Sequence, residues 1–469
     1  MGLPESVTKA AMTAPESSPK KPAAPTAPLP PASWRDSFAV YLQPRVLIVL
    51  LLGFSSGLPL ALSGSTLLVW MRESGVDLGT IGLFALVGTP YTLKFLWAPL
   101  VDALHVPLFT RRFGRRRGWL LFSQLLLIVA ILLLALTDPA RSPLFVALGA
   151  LLVAATSSTQ DIVVDAFRVE SLPESEQAAG MASYVAAYRV GMLVSTAGAL
   201  FIVSGFESTG IARGSAWMWG YVVMAAMVVI GTVTALVATE PGQSARAEAV
   251  TGTETAFTRV MHAAIGAFSE FLNRRNAWAA LVFVVLFKFT DAFSGTMTAP
   301  FVIDLGFSRN DYAAIVKGVG LAATLIGGFA GGFVARRYSL AASLWIGGVL
   351  QAVANLSFSW LALAGVNQWA LAFAITAENF TSAIGTVIFV AYLSALCRNP
   401  LHTATQYALL TALAAVGRTY LSSGAGYVAK ATGWPLFFAV CVLVAIPSLI
   451  LLTWLQRRGH FDELGPVKV

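Results

Sequence analysis

The chain has 469 residues, 57% of them hydrophobic and only 12% charged, with a mean hydropathy of +0.74. Soluble domains carry about 25% charged residues, so this composition excludes a water-soluble enzyme. The formal charge of +8 and pI near 9.6 do not call for nucleic acid either, because the basic residues fall mostly in alternate loops between apolar runs.

Residues 1–45 are rich in Pro, Ala, Ser and Thr and lack the apolar core of a cleavable signal, so they read as a disordered cytoplasmic tail. Apolar runs of about 20 residues then recur, the length of helix that crosses a hydrocarbon core. A β-barrel would instead show short alternating segments. The expected spans are 46–70, 80–103, 118–137, 143–168, 179–206 and 215–238, forming a first six-helix bundle over 46–238. A cytoplasmic linker over 239–276 opens with Glu240, Pro241 and Gly242. In its second half Phe257, Val260, Met261, Ile265, Phe268, Phe271 and Leu272 recur at helical spacing, which suggests an amphipathic helix on the membrane surface or an extension of the next span. Spans at 277–303, 311–335, 340–364, 368–396, 403–430 and 434–456 form a second bundle over 277–456, and 457–469 is a cytoplasmic tail. The expected fold is thus an all-α membrane protein with twelve transmembrane helices in two six-helix bundles.

Orientation follows from the loops. With the amino terminus inside, Arg111, Arg112, Arg115, Arg116, Arg117, Arg168, Arg246, Arg259, Arg274, Arg275, Arg336, Arg337, Arg398, Arg457 and Arg458 all fall on the cytoplasmic side. The other side holds only Arg72, Arg141, Arg213, Arg309 and Lys430. The positive-inside rule therefore puts both termini in the cytoplasm. A faint repeat supports two related halves: Gln177 and Arg189 at the fifth span match Gln406 and Arg418 at the eleventh, each pair separated by the same interval. Parallel halves related about the membrane normal, as in the major facilitator architecture, would produce this.

Ionisable side chains inside a membrane are costly and normally face a partner or a water-filled cavity. Near mid-span lie Lys94, Arg189, Lys288, Asp291, Glu378 and Arg418; Asp161 lies nearer the inside, Lys317 nearer the outside, and Asp102, Asp165 and Arg168 at the inner ends. So many charges suit a solute transporter. Asp161, Asp165 and Arg168 share one helix face, after the polar run Thr156 to Gln160. Asp161 can exchange a proton, hydrogen-bond a polyhydroxylated substrate together with Gln160, or sit in a fixed salt bridge. Asp102, Asp165 and Arg168 suit gating. Lys288 and Asp291, at i and i+3, either neutralise each other or act on an anionic ligand and a proton. Glu378 has no oppositely charged neighbour on its own helix, which makes it a second proton-coupling candidate, to be balanced by Arg418, Lys288 or a proton. Tyr91 with Lys94, and Tyr184 with Tyr188 and Arg189, set aromatic faces beside cations at the depth of transporter sites.

Other chemistry finds little support. Cys397 and Cys441 have no metal-ligand spacing, and neither have His105, His262, His402 and His460, so no metal and no cofactor is expected. Gly327, Gly328, Gly331 and Gly332 sit in an apolar run and mark close helix contact, not phosphate binding. With no nucleotide-binding motif, the driving force is expected to be an ion gradient.

Several blocks carry a narrower signal: Gly53-Phe54-Ser55-Ser56-Gly57-Leu58-Pro59-Leu60, Lys94-Phe95-Leu96-Trp97-Ala98-Pro99-Leu100, Gly114-Arg115-Arg116-Arg117-Gly118-Trp119 and Ser158-Thr159-Gln160-Asp161-Ile162-Val163-Val164-Asp165-Ala166. In the second half the blocks are Lys288 to Phe293, Gly320 to Ile326, Ala404 to Leu410 and Ala415 to Arg418. In this order they resemble the AmpG anhydromuropeptide permeases, from about Gly53 to Trp434. The resemblance departs at Phe380 to Gly385, where the family carries a glycine-rich block. It implies import of N-acetylglucosaminyl-1,6-anhydro-N-acetylmuramyl peptides across a bacterial inner membrane by proton symport, for peptidoglycan recycling, with a link in some bacteria to β-lactamase induction. The expectation is a monomeric proton-coupled importer, not an enzyme. Its partners are the muropeptide, protons and membrane lipids. Asp161, Glu378 and Asp291 would couple protons; Gln160, Tyr91, Lys94, Tyr188, Arg189, Lys288 and Arg418 would bind substrate. A carrier of acyl-coenzyme A or other anionic solutes, and a non-transporting membrane sensor, are the alternatives.

Overall fold

The computed structural model describes residues 39–241, 272, 276–397 and 403–464, and leaves a few side chains within them, Asp102, Gln177, Arg336 and Gln406 among these, outside the description. All regular structure among the described residues is helical. Ten helices are long and apolar enough to cross a membrane: Pro44–Glu73, Arg115–Ala135, Pro143–Ser171, Ala179–Ser208, Arg213–Val237, Ala277–Asp304, Arg309–Ala335, Leu340–Ala364, Gln368–Leu396 and Trp434–Arg457. The two other expected spans are broken helices. The second runs through Leu78–Leu83, Phe84–Gly88, Thr89–Leu93, Lys94–Leu96 and Ala98–Ala103, and the eleventh through Thr403–Thr419, Leu421–Gly424 and Ala425–Thr432. In the second, Pro90 and Pro99 each withdraw a backbone donor and favour a new helical start. The expected amphipathic helix lies outside the described residues, apart from Leu272.

The broken spans face each other. Spans 2 and 11 cross where Gly82 meets Gly426: a Cβ on Gly82 would lie 2.8 Å from the Gly426 nitrogen, and one on Gly426 1.8 Å from the Leu78 carbonyl oxygen. Only glycine permits that approach. Spans 5 and 8 meet through a second matched irregularity, the π-helical turns Val194–Gly198 and Tyr312–Val319. Such turns insert a residue and redirect the helix, often at functional positions.

The packing differs between the two faces of the protein. At one face, bearing Glu73, Glu207, Asp304 and Arg309, a single apolar core draws on both halves: Trp70, Trp217 and Tyr221 from the first, Phe301, Phe358, Phe437 and Phe438 from the second. Towards the arginine-rich face the core divides, with Leu52, Leu120, Val163 and Phe167 in one half and Phe283, Phe287, Phe389 and Tyr392 in the other. The described polar contacts between halves follow the same rule, lying at the first face or at mid-depth. The cleft between the bundles therefore opens at the arginine-rich face.

Two sequence expectations are modified here. Of the four clustered glycines, Gly327 and Gly331 press on Phe380 and Ile384 of the tenth span, whereas Gly328 and Gly332 meet nothing within 4 Å. One helix face packs closely and the other does not. Glu240, expected to begin a flexible linker, is anchored instead: its carboxylate accepts from the backbone N–H groups of Arg116 at 2.8 Å and Arg117 at 2.9 Å. This caps the third span, whose first turn otherwise has free donors and a positive dipole end. Gly114, at φ +89°, turns the chain into that helix, and a side chain there would collide with Glu240.

Candidate functional site

The cleft walls carry two groups of polar side chains. In the first half, Gly53 and Gly57 let span 1 touch span 5, since a Cβ at either would lie 2.6 or 2.1 Å from the carbonyl oxygens of Tyr184 and Tyr188. That contact fixes the two tyrosines, whose ring centroids are 6.0 Å apart. Asp161, from span 4, is buried and lies within electrostatic reach of Lys94 and Asp165 and near Ser56. Tyr91, Tyr184 and Tyr188 all feel its charge, and Tyr188 also lies near Arg189 and, across the cleft, Arg418. The irregular second span presents Tyr91 and Lys94 from successive turns, with Trp97 donating from its indole nitrogen to the Thr159 hydroxyl at 3.2 Å.

In the second half, Lys288 donates to Asp291 at 3.1 Å and to the Thr386 hydroxyl at 2.9 Å, and the Ser382 hydroxyl donates to the other Asp291 oxygen at 2.7 Å. Spans 7 and 10 are thus joined by a closed circuit of charge and hydrogen bonds. Glu378 accepts from the Asn379 side chain at 2.8 Å and lies within reach of Asp291, Lys317 and Lys288. Lys317 extends from the π-helical turn of span 8, lies over the Tyr312 ring and donates to Ser65 of the other half at 3.3 Å.

The charges are unevenly paired. Lys288 has Asp291. Lys94, Arg189, Lys317 and Arg418 have no carboxylate within salt-bridge distance among the described residues. Four cations in a membrane cleft without fixed counterions are costly unless water or an anionic ligand meets them.

The sequence candidates are therefore sorted as follows. Tyr91, Lys94, Asp161, Tyr188, Arg189 and Arg418 come together, and Lys288, Asp291 and Glu378 form the second group. Gln160 does not line the cleft: its side chain is 0% exposed inside the first bundle, so it cannot touch a ligand in this conformation. Asp165 and Arg168 approach each other at 3.9 Å on one helix, and Asp165 also lies within electrostatic reach of Lys94 on the second span. The Asp102 side chain lies outside the described residues.

The lock observed between the halves lies at the other face, and sequence reasoning missed it. Arg309 donates from Nε to Glu73 at 2.5 Å and from Nη2 to both carboxylate oxygens of Glu207, at 2.9 and 2.8 Å, beneath the Trp217 ring. Trp217 in turn donates to Glu73 at 3.2 Å. Arg72 and the Trp434 indole both bond Asp304. The available signal was that these charges end different spans at the same face; the pairing itself depends on tertiary structure.

The Major Facilitator Superfamily model matches residues 49–422. The anhydromuropeptide permease of Escherichia coli (strain K12) is 40% identical over 427 residues, covering 91% of this chain and 82% of that protein. The chain belongs to the AmpG family of the major facilitator superfamily. A putative transporter AmpG 4 from Rickettsia felis is 34% identical, with 89% of this chain and 98% of the relative covered. Among solved structures, the nucleoside transporter NupG (D323A mutant) aligns with a TM-score of 0.66 at 13% identity over 90% of this chain and all of NupG. A D-xylose-proton symporter aligns at 0.64 and 12% identity, covering 88% and 97%. At that identity the structures show the fold alone, and this AmpG-family chain shares it.

Proposed function

We propose that this chain imports anhydromuropeptides from the periplasm to the cytoplasm of a bacterial inner membrane by proton symport, serving peptidoglycan recycling. The observation that carries the reading is the cleft with its four unpaired cations and its tyrosine faces. An anhydromuropeptide offers carboxylates to Lys94, Arg189, Lys317 and Arg418, and sugar hydroxyl and acetamido groups to Tyr91 and Tyr188. The similarity to the Escherichia coli anhydromuropeptide permease supports the same substrate class.

With the arginine-rich face in the cytoplasm, the conformation described is open inward. Outward opening then requires the Arg309 lock and the Gly82–Gly426 crossing to part while the inner ends close, a rocking of one bundle against the other. Asp161 and Glu378 are the proton carriers, since each is a membrane carboxyl group with no salt-bridge partner among the described residues; Asp291, held by Lys288, contributes by modulating Glu378. No bound cofactor is needed if the proton gradient supplies the energy. The test is uptake of radiolabelled N-acetylglucosaminyl-1,6-anhydro-N-acetylmuramyl tripeptide into proteoliposomes. Accumulation stimulated by an inward proton gradient is expected. Gradient-independent equilibration would remove the coupling, and failure of uptake by folded protein that takes up coenzyme A esters would replace the substrate.

A further inference from the structure

The first bundle contains a cluster of buried polar side chains set back from the cleft. Ser55, Gln124, Ser157 and Gln160 are each 0% exposed. Among the described residues, the hydroxyl of Ser55, both polar atoms of each glutamine amide, and one oxygen of Asp161 have no hydrogen-bond partner. Ser55 and Gln124 meet over Gly231: a Cβ there would lie 2.3 Å from the serine oxygen and 2.6 Å from the glutamine nitrogen. Gln160 and Asp161 are consecutive on span 4, as are Ser55 and Ser56 on span 1. Each pair turns one residue to the cleft group around Asp161 and the next into the bundle. The four spans concerned, 1, 3, 4 and 6, pack on one another.

We propose that ordered water lies among these side chains and hydrogen-bonds Gln124, Gln160 and Ser55, forming a relay that reaches Asp161 from behind the cleft. The donor set decides for water over a metal ion. A sodium ion would satisfy the serine, amide and carboxylate oxygens but leave both glutamine NH2 groups unmet, whereas water accepts from the amides and donates to the oxygens. Glycine at 231 is what admits Ser55 and Gln124 against the sixth span. The groups facing Asp161 from the packed elements are Lys94, Asp165, Tyr91, Tyr184, Tyr188 and Ser56. Among the described residues none of them hydrogen-bonds either glutamine amide, so Gln124 acts on Asp161 only through the relay and is a positioning residue.

The functional part rests on Asp161 carrying the proton; the water itself does not. A cryo-EM map of the full chain in nanodiscs that resolves ordered water should show density within hydrogen-bonding distance of both amides, lost in Gln124→Leu. A dry cluster with the amides bonded to each other overturns the proposal, as does density whose occupancy follows sodium concentration. In proteoliposomes, Gln124→Leu should lower gradient-driven accumulation on the order of tenfold while tripeptide counterflow changes little, a split that general misfolding does not produce. Ser55→Ala, which removes one hydroxyl and almost no volume, should give a smaller change of the same kind. Equal loss of both fluxes, or no loss of accumulation, overturns the relay; absence of any uptake by the wild type fails the muropeptide reading and leaves the map to judge the water.

Discussion

The polar centres of the two bundles are built in opposite ways. In the second half, Lys288, Asp291, Thr386 and Ser382 close on one another, so this pair of charges is neutralised within the bundle, while Glu378, Lys317 and Arg418 stand outside the circuit. In the first half, Asp161 has a buried oxygen without a partner, and Gln124 and Gln160 leave both amide atoms unmet. A completed circuit resists change because breaking it strands a charge in a low-dielectric interior. An incomplete one is free to bind, release and respond. On the proposed reading, the Lys288–Asp291 pair is mainly architectural and Asp161 does the transport work.

The largest expected effect comes from breaking the closed circuit on one side only. Asp291→Leu leaves Lys288 stranded and should destabilise the protein by about 3–5 kcal/mol, read as a large fall in thermal stability in detergent. The double variant Lys288→Met with Asp291→Leu should recover most of that loss, because no charge remains to be met. Equal instability of the double variant would show that the pair does more than neutralise itself.

Next in size is the lock at the face away from the arginine-rich loops. Arg309→Met removes the cation shared by Glu73 and Glu207, leaving Glu73 without one and Glu207 with only the exposed Arg213 among the described residues, so the closed state of this face should lose on the order of tenfold in population relative to the open one, a shift of about 1.4 kcal/mol. Cysteines placed beside the lock should then react faster with a membrane-impermeant thiol reagent. Unchanged reactivity would show that the apolar core around Trp70 and Phe301 holds this face shut without the ion cluster.

A smaller effect is expected at Lys317. Lys317→Met removes an unpaired cation and its contact to Ser65, which should raise the KM for tripeptide-bearing substrate about tenfold with little change in stability. The effect should shrink for a ligand without the peptide carboxylates. The smallest is a control far from either centre: Arg141, highly exposed and paired with Asp138, should tolerate Arg141→Gln within about 0.5 kcal/mol.

Hydropathy made the continuous spans legible, because no other arrangement satisfies the backbone of such apolar runs in lipid. It did not reveal the breaks at Lys94–Leu96 and Leu421–Gly424, since glycine and proline are tolerated inside membrane helices and the run of apolar residues continues across them. Asp161, Glu378 and the Lys288–Asp291 spacing stood out as charges in apolar runs. Arg309 did not, because at the end of a span it looked like an ordinary loop cation; its burial depends on Glu73, Glu207 and Trp217 arriving from three other spans. Lys317 was visible as a membrane charge, but the π-helical turn that swings it towards Ser65 has no signature in the apolar period. Gln160 shows the reverse error. Its place beside Asp161 in a polar run suggested a ligand contact, yet the two side chains leave the helix about 100° apart, and only one faces the cleft.

The account turns on Asp161 as a proton carrier, and its most direct test is proton flux accompanying tripeptide uptake, followed with a pH-sensitive dye inside proteoliposomes for the wild type and Asp161→Asn. The wild type should acidify the lumen on addition of substrate, and Asp161→Asn should exchange tripeptide across the membrane with no acidification. Substrate-dependent acidification that persists in Asp161→Asn would contradict the account and move the coupling site to the second bundle.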